Sequence, residues 1–531
     1  LVVPSQTEHI NGGGKEMVSA GNPKKERASA SGGKAPSPRE LVFAICKPSG
    51  VDDQSVIAAL GDALSTYAYR LHTIDISDQL DALGPRRRDS RKSKNAHLMD
   101  IGDALRSKYG KDIIAHMAVA EISRLRGLAE VPSRNAFVIT SLKRVDEVKS
   151  LRKVYGTHLI LLGVTSPAVD REQFLAGRLR DEFPSARADE IAKMASGIVT
   201  RDAQDDLDAS GQQMRKTFSH SDAIVDFRTV PEMSKNVARI VDLLFGRSFI
   251  TPTVDEQGIN FASAARLRSA DPGRQVGAAV VDMNGELIVT GCNDVPRPGG
   301  GQYWAGDDPD LRDFSLGWDS NNKLKMSLLI DLISRLGAKG ILSAKSSRQS
   351  PKDLAAEALS DGGALADAQF KDLLEFGRVA HAEMAAIATA ARRGVPLAGS
   401  TMFTTTYPCH LCARMILAAG IARVVYVHPY PKSRVREMYA HEISDSERHA
   451  NGMEIVPFVP FSGIGPRLFS RVFDSESQFR EHNDDGRMMD WSADRAALTG
   501  VCMDCTCSIE LERDSVEKVV GQMTLVGASV A

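Results

Sequence analysis

The stretch VAHAEMAAIATAARRG (Val379–Gly394), followed by TMFTTTYPCHLCARMILAAGIARVVYV (Thr401–Val427), decides the fold of the second half of this chain. Its first segment spaces apolar residues at helical intervals and stops at Gly394 and Pro396, residue types that end helices. TMFTTT has the β-branched and aromatic content of a strand, CHLCARMILAAG is a helix closed by Gly420, and RVVYV is a strand. Helix, strand, helix, strand with short connections predicts an α/β unit. Working backward, VGAAVVD (Val276–Asp282) and ELIVTGCN (Glu286–Asn293) flank an Asn-Gly turn, which predicts a hairpin. Between hairpin and helix lie a glycine-rich loop, GGGQYWAGDD, and a helical stretch, KMSLLIDLISRLG.

The first half carries a second α/β pattern. LVFAIC (Leu41–Cys46), RLHTIDI (Arg70–Ile76), NAFVITS (Asn135–Ser141), HLILLGV (His158–Val164) and DAIVDF (Asp222–Phe227) read as strands, alternating with amphipathic helical stretches. Apolar strands alternating with helices imply a parallel sheet covered on both faces. Strand, glycine-containing loop and helix at Leu41–Leu64 open this half as a P-loop-type domain does. Residues 1–37 are rich in Gly, Ser, Lys and Pro and cannot offset ordering entropy by burial, so a disordered tail is expected. The expected organisation is a tail (1–37), a P-loop-type parallel-sheet domain (38–245), a second α/β domain (250–475) and a C-terminal extension (476–531).

The bulk numbers narrow the function. Lys and Arg total 66 against 68 Asp and Glu, a formal net charge of -2, without the basic excess of proteins built to hold long nucleic acids. No apolar run is long enough to span a bilayer, and no signal peptide is read, so a cytoplasmic, reducing setting with no membrane partner is expected. In that setting clustered cysteines read as metal ligands before disulfides.

Two pieces of sequence carry chemistry: His381-Ala382-Glu383, and Pro408-Cys409-His410-Leu411-Cys412. The pairing H-x-E and P-C-x-x-C is the signature of zinc deaminases. Zn2+ takes one imidazole, His381, and two thiolates, Cys409 and Cys412, and keeps a fourth position for water. Residues i and i+3 of a helix's first turn face one side, and the macrodipole there favours thiolates. Glu383, two residues past the imidazole, is near the metal without being needed as a ligand, so it serves as the catalytic proton carrier.

Residues 261–427 resemble the deoxycytidylate deaminase family, in SADPGRQVGAAVVD, TGCN and the two motifs. That likeness implies that Asn293 binds the deoxyribose 3′-hydroxyl. With NDVPRPGGGQYWAGD, VPFVPFSGIGPRLF and, in the first half, SLKRVDEVKSLRKVYG and LVFAICKPSGVDD, the chain resembles the two-domain anti-phage dCTP deaminases of bacteria. The resemblance runs from about Leu41 to about Phe473 and implies a P-loop kinase-like domain (38–245) followed by a cytidine-deaminase-like α/β/α domain (250–475), and conversion of dCTP to dUTP and ammonia, depleting a nucleotide that phage replication needs. A phosphorylated substrate requires cations. Lys432, Ser433 and Arg434, just past the strand RVVYV, are the candidates, with Arg297 and Lys325 flanking the glycine-rich loop. Ala382, between ligand and carboxylate, completes the expected substrate-binding set. A homo-oligomer is also expected.

The loop after Leu41–Cys46 departs from the working pattern G-x-x-x-x-G-K-[ST]. Gly50, after Ser49, survives, but the Gly-Lys pair does not, and Asp52 and Asp53 stand about where the lysine should be. Carboxylates there repel phosphate, so phosphotransfer is not expected, and the domain is read as structural, assembling or sensing a nucleotide, protein or RNA regulator. Cys502, Cys505 and Cys507 form C-x-x-C-x-C. Thiols without metal are the plainer reading, and a second zinc with His482 as fourth ligand the sharper one. Two rival functions remain: a deaminase acting on a base in RNA or single-stranded DNA, and a nucleotide-sensing regulator with a dead site. The first lacks a basic, aromatic-interleaved stripe. The second does not account for an intact His381, Glu383, Cys409 and Cys412.

Overall fold

In LVFAIC every residue is buried, three on each face of one strand. Leu41, Phe43 and Ile45 pack with Val56, Leu60, Leu64, Val237 and Ile240. Val42, Ala44 and Cys46 pack on the other face with Ile113, Ile122, Val148 and Leu151. A strand buried on both faces reads as a continuous apolar run, and β1 (Leu41–Cys46) is accordingly central. It is flanked by β3 (Asn135–Ile139) and β4 (Leu159–Thr165), then β2 (Arg70–Ile74) and β5 (Ala223–Asp226), all parallel, in the order β2-β3-β1-β4-β5. The computed structural model describes residues 40–83, 93–127, 134–140, 142–204, 214–366, 368–430, 433–445, 455–480, 482–483, 485–493, 498 and 511–520. The tail 1–37 lies outside them, as do Cys502, Cys505 and Cys507.

The loop after β1 is closed on itself. Asp52 caps helix Asp53–Ser65, accepting from the Gln54 backbone N–H at 3.1 Å and the Ser55 hydroxyl at 2.6 Å. A carboxylate of the chain thus occupies the helix N-terminus where an anion would bind. Asp53 does not stand as an unbalanced charge: Lys47 Nζ pairs with it at 3.1 Å and donates to Val51 O at 3.0 Å. Arg171 and Lys143 donate to the carbonyls of Ser49 and Lys47. Gly50 adopts φ +89° with the Arg171 backbone against it, where a Cβ would lie 2.6 Å from Arg171 O.

The second sheet has the order β10-β11-β9-β8-β6-β7. β6 (Gly277–Val281) and β7 (Leu287–Cys292) form the hairpin expected from the Asn-Gly turn. β8 (Thr401–Thr406), β9 (Arg423–His428), β10 (Ile443–Ser444) and β11 (Val456–Pro460) run parallel to one another, with β6 antiparallel to β8. Helix Val254–Arg266 covers one face through Ile259 and Ala262 against Ala279, Phe403 and Val425. Helices Ala382–Arg393 and His410–Ala418 cover the other through Ala386, Ala390, Ala413 and Ile416 against Val280, Met402 and Val424. Gly291 permits this: a Cβ on it would lie 2.3 Å from Ala382 O, so only glycine lets the site-bearing helix lie this close to β7.

The two sheets are joined by β12 (Gly463–Ile464), which pairs antiparallel with β5 and extends the first sheet. The joint is keyed by Glu256, fully buried. It accepts from Arg239 at 2.6 and 2.8 Å, from the Thr253 N–H at 2.7 Å and from the Ile464 N–H at 2.8 Å. Described parts of the C-terminal extension also reach the first sheet's layer: Trp491 packs on Tyr67, Glu512 pairs with Arg126, and Lys518 lies 3.3 Å from Asp112. No helix among the described residues is long and apolar enough to cross a membrane.

Candidate functional site

Two helix N-termini meet at the end of the second sheet. His381 is the N-cap of helix Ala382–Arg393 and Cys409 the N-cap of helix His410–Ala418, and neither side chain is spent on capping. Both helices start later than the motifs suggested, so His381 and Cys409 precede the first turn while Glu383 and Cys412 lie within it. His381 Nδ1 lies 3.3 Å from Cys409 Sγ and 3.3 Å from Cys412 Sγ, and all three ligand atoms fall within 4.8 Å of one another. Tetrahedral zinc with ordinary Zn–S and Zn–N bonds sets such N···S separations at about 3.5 Å. One imidazole and two buried sulfurs at this spacing fit Zn2+.

Mutual contact and burial set the charges of these groups. The Cys409 thiol is pushed down to about 4 by the hydrogen bond from Cys412, against burial, with His381 adding to the effect. Cys412 is raised by that same bond and by burial. The His381 imidazole is raised by its bond to Cys409. Glu383 is 4% exposed, and burial pushes its carboxyl above the ordinary range. Its Oε2 accepts from Cys412 at 3.4 Å.

A cleft of about 270 Å³ opens on this cluster, lined by His381, Ala382, Glu383 and Cys409 together with Asn293, Arg274 and Tyr430. Asn293 is engaged on both sides, accepting from the Val276 N–H at 2.6 Å and donating to Arg274 O at 2.8 Å. It thereby fixes the segment that forms one wall. The other sequence candidates are not brought to the lining. Arg297 is exposed beside Asp307 at 3.3 Å. Ser433 donates to Pro408 O at 2.8 Å, bracing the metal-ligand loop from behind. Arg434 binds Gln369 at 2.7 Å, and Lys325 donates to Lys371 O. Lys432 lies outside the described residues. Position just after a strand end does not say which way a side chain turns, and here local partners take these groups away.

Arg274, overlooked from sequence, is the arginine on the cleft wall among the described residues, 4.7 Å from the centre of the Tyr430 ring. Asp313 and Asp319 also line the cleft, the first paired with Arg378 at 3.0 Å and the second capping helix Ser320–Ala338. Asn321, on the first turn of that helix, presents an Oδ1 without a hydrogen-bond partner among the described residues. The available signal was the Asp319-x-x-Asn322 helix start after a glycine-rich loop.

Residues 252–428 match the sequence family described as the cytidine and deoxycytidylate deaminase zinc-binding region. The chain is 44% identical over 54 residues to deoxycytidylate deaminase of Enterobacteria phage T2, covering 10% of this chain and 29% of that protein. It is 43% identical over 53 residues to ComE operon protein 2 of Bacillus subtilis (strain 168), covering 10% and 28%. The chain thus matches less than a third of the length of these relatives. Among solved structures it is similar to dCMP deaminase from the cyanophage S-TIM5 in complex with dCMP and dUMP, at 18% identity and a TM-score of 0.22, covering 40% of this chain and 100% of that one.

Proposed function

We propose that this chain hydrolytically deaminates a free deoxycytidine nucleotide, dCTP in preference to dCMP, releasing ammonia. The observation that carries the reading is Glu383: a buried carboxylate beside a His/Cys/Cys set, on the wall of a cleft that the set faces. His381, Cys409 and Cys412 would hold Zn2+, which when bound would supply Lewis-acid activation of water at neutral pH. Glu383 takes a proton from water as the water oxygen bonds to C4 and delivers it to the ring nitrogen; it then carries the new hydroxyl's proton to the amino group, and ammonia leaves as the C–N bond breaks and the carbonyl forms. Asn293 holds the wall against the sugar, and Arg274 is the cleft's cation for phosphate. The first sheet belongs, in this reading, to a kinase-like domain (38–245) that assembles or restrains the deaminase (250–475) without transferring phosphate. The biological role is anti-phage defence by depletion of dCTP.

Self-association is part of the proposal. Leu324, Leu328, Leu332 and Leu336 recur every four residues on helix Ser320–Ala338, each more than a third exposed. Such a ridge packs into the groove of a like helix. Solution mass by light scattering checks it. The reaction is tested by ammonia release from dCTP, dCMP and cytosine in single-stranded DNA and RNA. Faster deamination of the polymers overturns the reading.

A further inference from the structure

Between the hairpin and His381 lies a unit with a core of its own. Leu329, Ile333 and Ala355 are buried there, with Met326, Leu342 and Phe370 against them, all within residues 326–370. Helix Ser320–Ala338 is its spine and buries only Ser320, Leu329 and Ile333. Leu329 and Ile333 belong to the local core. Ser320, on the first turn, is 2% exposed and does not.

A serine at a helix start commonly caps the helix. Here Asp319 already does so, accepting from the Asn322 N–H at 3.1 Å. The Ser320 hydroxyl is spent across the cleft wall instead. It donates to Phe376 O at 3.1 Å and accepts from the Arg378 N–H at 3.2 Å. Its neighbour Asn321 donates from Nδ2 to Leu373 O at 2.9 Å. Arg378 returns the contact, donating to Asp313 at 3.0 Å and to Leu311 O at 3.1 Å. Residues 373–379 form no helix or strand. Such a segment is ordered by whatever satisfies its polar groups, and here two side chains of one helix turn take three of its main-chain groups.

The segment matters because of where it leads. Leu374, Gly377 and Val379 line the cleft. Ala380 exchanges main-chain hydrogen bonds with Asp294 at 3.0 and 3.3 Å, and the next residue is His381. That imidazole stands at a helix N-cap without capping it, so its direction follows the chain that enters the helix. We propose that Ser320 and Asn321 are positioning residues for the metal ligand His381, acting through residues 373–380. The hydroxyl and the amide set the path of the entering chain, and that path aims the ring at Cys409 and Cys412. The proposal rests on the zinc-site part of the functional reading and not on which nucleotide is deaminated.

The test uses the full chain loaded with zinc, and times release of the ion to an excess of a chromogenic chelator. Ser320→Ala and Asn321→Ala are each expected to release zinc about tenfold faster than wild type, the usual weight of a group that orients a ligand from outside. Ser334→Ala, which removes an exposed hydroxyl bonded within the same helix, is expected to leave the rate unchanged. Co2+ in place of zinc adds a signature of ligand geometry: its visible bands should change in Ser320→Ala and not in Ser334→Ala. Wild-type release from both Ser320→Ala and Asn321→Ala overturns the positioning role. Equal acceleration in Ser334→Ala also overturns it, since loosening of the helix as a whole then explains the effect. Faster release from the two variants in a chain that deaminates no nucleotide leaves the positioning role standing and removes the proposed function. Deamination with wild-type release from both does the reverse.

Discussion

The Cys412 thiol donates to Glu383 Oε2 across 3.4 Å, joining the first turns of two different helices. Glu383 thus stands beside the metal-ligand set, which needs only His381 and the thiolates of Cys409 and Cys412 from the protein, the thiol proton of this contact being given up when the ion binds. Ligation and proton transfer are therefore separable. Glu383→Gln is expected to keep about one zinc per chain and to lose roughly 10²–10⁴-fold in turnover, the usual worth of a positioned acid–base group. Metal analysis alongside ammonia release checks this. A variant retaining most of its turnover removes Glu383 from the proton relay.

Removing the metal has a different signature. His381 and Cys409 stand at the starts of two helices without spending their side chains on capping, so a bound ion would add a link between these helix starts to the packing they already share. Chelation, or Cys409→Ser, is expected to release zinc and lower the melting temperature by several degrees, since a ligand bound only by the folded state stabilises it. A chelated protein that melts with the loaded one shows that the ion carries no structural weight.

The site was legible because its chemistry is written in close spacing. A ligand two residues from a carboxylate and a pair three residues apart leave little freedom once each lies at a helix start. The hairpin and the continuous apolar strands were legible for a similar reason, since turn chemistry and two-sided burial act locally. What escaped depends on tertiary direction. Arg297, Ser433 and Arg434 were near the site in sequence but are turned toward Asp307, Pro408 O and Gln369. Arg274 reaches the cleft because Asn293, nineteen residues on, holds its backbone carbonyl. The pairing of Gly463–Ile464 with β5 joins residues more than two hundred positions apart, and two residues carry no periodic signal.

The loop Lys47–Asp53 gives a prediction for the first half. Asp52 is a helix N-cap, so Asp52→Ala should cost about 1 kcal/mol in stability, read from urea denaturation. It should not create nucleotide phosphorylation, because Arg171 and Lys143 still hold the Ser49 and Lys47 carbonyls and Lys47 remains on Asp53. ATP-dependent phosphorylation of any nucleotide by the intact chain refutes the reading of this domain.

Glu256 bears on how the halves can be separated. Its carboxylate is fully buried and takes Arg239 from the first half and the Ile464 N–H from the joint. Glu256→Gln leaves Arg239 without its charge partner and should destabilise the chain by about 3–5 kcal/mol. Deleting residues 1–245 removes Arg239 and β5 together, so the remaining piece should show lowered stability before any change in regulation. A deletion protein as stable as the full chain contradicts this account of the joint.

His428 sets an acid limb. Its imidazole is pushed down to about 4, first by burial and then by Arg266, Arg274, His220 and Arg467, against 6.5 for an unperturbed ring. The unfolded chain therefore takes up the proton before the folded one does. Stability is undiminished above pH 6.5, falls as pH drops through 6.5, and stops falling from this source below about 4. Between pH 7.5 and 5 the loss from His428 comes to about 2 kcal/mol. His428→Asn should lower that acid sensitivity by the same amount, measured as the difference in urea midpoints at the two pH values. His381 and the carboxylates titrate in both proteins, so the difference between wild type and variant isolates His428. Equal acid sensitivity in both proteins means that the folded chain does not hold the His428 ring below its ordinary range.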